Sequence, residues 1–64
     1  MGETLTKVRF HLTNGEAFEA TVTEGIEDVQ REFGTSLIIT LRRADGSVVV
    51  VDTEQVAVME VAAA

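Results

Sequence analysis

Residues 47–52 read Ser47-Val48-Val49-Val50-Val51-Asp52, and no other stretch says as much about how this chain folds. Four β-branched residues in a row favour a strand. Because successive side chains on a strand point to opposite faces, four valines leave both faces apolar. In a chain of 64 residues, one of those faces can be covered from within. The other calls for a second molecule.

Working backwards, Ala44-Asp45-Gly46 joins the valine strand to Leu37-Ile38-Ile39-Thr40-Leu41-Arg42-Arg43. This is the chemistry of a three-residue hairpin loop with Gly46 in the left-handed position. That loop pairs Leu41 with Val49 and Ile39 with Val51 on one face. Ile38, Val48 and Val50 then fall on the opposite face with Thr40 and Arg42, a surface too apolar for open water. These three residues are the candidates for self-association.

The first half of the chain holds a similar hairpin. Val8, Phe10 and Leu12 alternate with polar residues, and Phe18, Ala20 and Val22 continue the alternation after Asn14-Gly15. A two-residue loop would set Phe10 against Glu19. A three-residue loop with Gly15 left-handed instead pairs Phe10 with Phe18, Val8 with Ala20 and Arg9 with Glu19. The period changes across Thr23 to Gly34, where Ile26, Val29 and Phe33 form one stripe of a short helix. Thr23 is the expected cap, Glu24, Glu27 and Asp28 suit the positive end, and Gly34 suits a left-handed stop. After a polar turn at Thr53-Glu54-Gln55, Val56 to Val61 reads as a last strand, with Ala62-Ala63-Ala64 expected to fray. The predicted fold is α+β and mostly β: a strongly bent five-stranded antiparallel sheet or small barrel, in the order β-β-α-β-β-β, forming one domain over residues 1–64.

Such a chain is near the lower limit for a stable core. It has no cysteine and a single histidine, so neither a disulfide nor an ordinary zinc site can brace it. Oligomerisation is the remaining aid. The lack of cysteine agrees with a reducing, cytoplasmic location. No apolar run approaches the ~20 residues that span a bilayer, and the start lacks the basic and apolar regions of a signal peptide. Met1-Gly2-Glu3-Thr4-Leu5-Thr6 fits the loose N-myristoylation pattern, but no polybasic segment adjoins it to supply a second anchor. The net charge of -6 opposes binding to nucleic-acid phosphates. One lysine against four arginines, with abundant alanine and valine, fits a GC-rich coding sequence; a bacterium or its phage is the expected source.

No catalytic set is visible. His11 is the one residue that titrates unperturbed near neutrality, but neither Ser36 nor Ser47 lies in a nucleophile pattern and no Gly-rich phosphate loop precedes the helix. No cofactor is expected. Glu24, Glu27 and Asp28 could gather a divalent cation, but they lack the alternating ligands of a calcium loop, and favourable interaction with the helix end accounts for them more simply. Lys7, Arg9, Arg42 and Arg43 would form a basic patch only if the first and third strands lay close. Arg42 and Arg43 point to opposite faces, and with no Tyr or Trp in the chain no exposed aromatic platform is expected beside them.

The stretch Val8-Arg9-Phe10-His11-Leu12-Thr13-Asn14-Gly15-Glu16-Ala17-Phe18-Glu19-Ala20-Thr21-Val22 resembles the opening of the Sm-like proteins, the Lsm and Hfq group, and Val56-Ala57-Val58-Met59-Glu60-Val61 resembles their last strand. The likeness covers about a third of the chain. It implies a small, bent, strand-rich domain that forms rings or dimers through its edge strands. The family's helix precedes the first strand, whereas here it follows the second. The family's uridine-binding aromatic and basic-glycine signature have no match, so no RNA-binding residue is carried over. Together these features lead to the expectation of a non-enzymatic, oligomeric protein-interaction module, an accessory, regulatory or assembly component with a protein partner. An Sm-like single-stranded RNA binder and an acidic mimic of nucleic acid are the alternatives.

Overall fold

A computed structural model describes residues 4–64. The myristoylation pattern rests on Met1 and Gly2, which lie outside the described residues. Five strands, a helix and a 3-10 turn follow in order: β1 (Thr6–Leu12), β2 (Ala17–Val22), α1 (Ile26–Thr35), β3 (Ile38–Arg42), β4 (Val48–Asp52), the turn (Thr53–Gln55) and β5 (Val56–Ala63).

Both hairpins adopt the registers that their turns dictate. Phe10 faces Phe18, Val8 faces Ala20 and Arg9 faces Glu19; Leu41 faces Val49 and Ile39 faces Val51. Gly15 and Gly46 have φ of 92° and 91°, the left-handed geometry that closes each loop. At the second turn, Asp45 accepts hydrogen bonds from the Ser47 N–H at 2.9 Å and the Ser47 hydroxyl at 2.6 Å.

The strands do not make the single five-stranded sheet or closed barrel expected from the sequence. They form two sheets, one ordered β2-β1-β5 and the other β3-β4. Between β2 and the end of β3 there is an isolated bridge, Val22 with Arg43, rather than a ladder. The reason lies in the segment joining them. The Thr23 N–H donates to the Arg42 carbonyl at 2.7 Å, and then the Glu24 carboxylate accepts the Arg42 N–H at 2.9 Å. A side chain takes the place of the next strand residue, and the backbone leaves for the helix.

The same contacts move the start of α1. Thr23 and Glu24 are tied to the edge of β3, so the helix begins at Ile26 with Gly25 as its N-cap and no side-chain cap, rather than at the expected Thr23. Nor does Gly34 stop it. The helix runs on to Thr35, whose hydroxyl donates to the Arg31 carbonyl, and ends when Ser36 turns extended while its N–H reaches the Glu32 carbonyl. That extended exit leads directly into β3. The alanine tail is also ordered further than expected: Ala62 and Ala63 belong to β5 and pair with Lys7 and Thr6, and the Ala64 N–H donates to Leu5.

One core lies between the two sheets and the helix. Val8, Phe10, Ala20 and Val22 come from the three-stranded sheet, Ile39, Leu41, Val49 and Val51 from the hairpin, and Val29 from α1. The helix packs on β3 and β5. Phe33 packs against this core only partly buried.

Candidate functional site

The outer face of the β3-β4 hairpin is the feature that the core leaves over. Residues on these strands alternate between exposed and buried, with Leu41, Ile39, Val49 and Val51 turned inward. Ile38, Val48 and Val50 stand outward together, 55%, 51% and 66% exposed. Thr40 lies opposite Val50, Arg42 opposite Val48 and Asp52 opposite Ile38. Two rows of three side chains result, with Thr40 and Val50 in the middle, Ile38 and Val48 at one pair of diagonal corners and Arg42 and Asp52 at the other. Leu37 adds further exposed apolar surface at the mouth of β3; alternation could not reveal this, because the strand starts one residue later than the pattern suggests.

The outer face of the three-stranded sheet has a different chemistry. Arg9 and Glu19 form an ion pair at 3.2 Å, and the His11 Nε2 lies 2.5 Å from the Glu60 carboxylate. Hydrogen bonding to His11, followed by the charge of that ring, holds the Glu60 carboxyl below its usual value. Lys7 lies on this same face of β1. The basic residues are therefore divided. Lys7 and Arg9 sit on a strand flanked by β2 and β5, whereas Arg42 ends β3 of the other sheet and Arg43 stands over Phe18. His11 is engaged with a carboxylate.

Glu24, Glu27 and Asp28 do not converge. Glu24 lies before the helix with one oxygen on the Arg42 N–H, while Asp28 pairs with Arg31 at 3.3 Å along α1. Among the described residues no group of three or more metal-ligating side chains comes together, and no helix is long and apolar enough to cross a membrane.

Phe18 departs from the sequence reading. Its ring stacks on buried Phe10 with centroids 6.5 Å apart, yet Phe18 remains 41% exposed, and the Arg43 guanidinium stands 5.9 Å from the ring centroid. An exposed aromatic with an arginine over it is thus present where none was expected. The alternation of β2 turns Phe18 toward Phe10, and among the described residues its ring lines an open cleft with Phe10, Leu12 and Val49 to Val51. No protein-family model matches the chain, and neither does any curated protein or any solved structure.

Proposed function

We propose that this chain is a small, non-enzymatic interaction module that works as a homo-oligomer and uses the outer face of its β3-β4 hairpin for association and for docking a protein partner. The observation that carries this reading is the joint exposure of Ile38, Val48 and Val50 on one face of the hairpin while α1 packs against the core. Large apolar side chains gathered on one surface favour contact with another molecule over hydration. Sedimentation at low micromolar concentration tests the self-association. Wild-type protein should sediment as an oligomer and Val50→Glu as a monomer. A wild-type chain that stays monomeric would remove the homo-oligomer from this reading.

A second reading, single-stranded nucleic-acid binding of the Sm-like kind, is favoured by Phe18 and Arg43. A base could stack on the exposed ring beside the guanidinium, an arrangement that tolerates many sequences. Titration with a fluorescent single-stranded RNA at two salt concentrations separates the readings. Binding that falls steeply with salt and is lost in Phe18→Ala supports RNA recognition; no binding in low salt rejects it.

A further inference from the structure

The backbone of β4 carries information separate from its side chains. The Arg43 N–H donates to the Ser47 carbonyl and the Thr53 N–H to the Leu37 carbonyl, so the odd-numbered residues of the hairpin turn their backbone groups toward each other across the register. In an antiparallel pair, the residues between them turn theirs to the outside. On β3 the outward groups at Arg42 are occupied by Thr23 and Glu24. On β4 the outward N–H and C=O groups belong to Val48, Val50 and Asp52, and among the described residues no strand takes that edge.

Edge strands in soluble proteins are commonly blunted by lysine, proline or a bulge. Val48 to Val51 has none of these. The hairpin face is also small. From strand rise and spacing its two rows cover roughly 170 Å², against about 800 Å² per partner in a standard interface. Stacking of this face alone is too small to account for a stable assembly, and the open edge beside it offers directional hydrogen bonds in addition.

We infer that β4 pairs antiparallel with β4 of a second copy, about a two-fold axis through Val50, to form a continuous four-stranded sheet. This deepens the proposed function and rests on its self-association. The register follows from length: only with Val50 opposite Val50 of the second copy do all five residues, Val48 to Asp52, pair. Val48 then faces Asp52 of the other copy, and Val48, Val50 and Asp52 each supply one donor and one acceptor. The arrangement is self-complementary, as a two-fold interface requires. It also agrees with the charges. Arg42 lies next to Val48, so the second copy's Asp52 comes to stand two strands from Arg42, about 10 Å by strand spacing, within reach of an extended arginine. Each copy brings one cation and one anion to this face, and the joined face is neutral although the chain carries -6. The two small apolar patches merge into one, which is the surface offered to the protein partner.

Two measurements on intact protein test the pairing. The first is amide hydrogen exchange of wild-type protein above and below its dissociation concentration, with Val50→Pro for comparison. The Val48, Val50 and Asp52 amides should exchange slowly only in the assembled state. Val50→Pro, which removes an outward N–H and no bond to β3, should stay monomeric at concentrations where the wild type assembles. The second is mild oxidation of Val50→Cys, in a chain with no other cysteine. It should give a disulfide-linked dimer more readily than Val58→Cys, a control on the far sheet, because directly paired residues fall within disulfide reach. A wild-type oligomer in which those three amides exchange freely, or in which the two cysteine variants cross-link equally, overturns the pairing but leaves self-association standing. A wild-type monomer overturns both.

Discussion

Val49 and Val50 are neighbours in the chain and opposites in the fold: Val49 is 7% exposed and faces Leu41 in the core, whereas Val50 is 66% exposed and faces Thr40 on the outer surface. The same side chain therefore serves folding at one position and is free for association at the next. A charge placed at each position separates the two roles. Val49→Glu buries a carboxylate with no partner and should cost about 3–5 kcal/mol, most of the stability of a domain this small. Val50→Glu should change monomer stability by no more than about 0.5 kcal/mol and disperse the proposed oligomer. Urea unfolding and sedimentation of both variants check the contrast; equal behaviour would contradict the register.

Three glycines should respond to alanine in opposite directions. Gly15 and Gly46 have positive φ, and a Cβ at either would meet nothing within 4 Å, so the cost is purely conformational. Each Gly→Ala change should destabilise by about 1–2 kcal/mol. Gly34 lies inside α1 without a positive φ and with open space around its Cα. There Gly34→Ala should stabilise by about 0.5–1 kcal/mol. Thermal melts at one pH are sufficient. A destabilising Gly34→Ala would mean that the helix stops where the sequence pattern places its end.

The His11–Glu60 contact makes a prediction about acid. Glu60 titrates below its usual value, first through its hydrogen bond to His11 and then through that ring's charge. A carboxyl with a lowered folded-state pKa contributes stability above its unfolded value and loses that contribution as pH falls through its folded value. In His11→Ala the Glu60 resonance should titrate closer to an ordinary glutamate, and the acid limb of the stability curve should lose the part due to this carboxyl. Carbon-detected NMR titration reads the first effect. An unchanged Glu60 midpoint would show that the contact is absent in solution.

Much of this fold was legible in local chemistry. Asn14-Gly15 and Asp45-Gly46, with the alternation around them, determine both hairpin registers, because a slip of one residue would turn every valine, leucine and phenylalanine to the wrong face. The exposure of Ile38, Val48 and Val50 follows from the same parity. The ends of the helix were not legible. Thr23 is a good cap by residue type, and it was drawn elsewhere by a carbonyl at Arg42, a residue 19 positions away in the chain. Exposure of Phe18 was equally hidden, since it depends on what fails to cover it.

The sequence by itself determined which residues pair within each hairpin and which valines face the core, because turn geometry and two-residue periodicity act over a few neighbouring bonds. Only the tertiary structure decided that the five strands divide into sheets of three and two, that Glu24 supplies a side-chain bond where another strand residue would continue the ladder, and that β4 keeps an open edge. Those outcomes come from contacts between segments distant in the chain, where a single carboxylate competing for one backbone N–H redirects the path that follows.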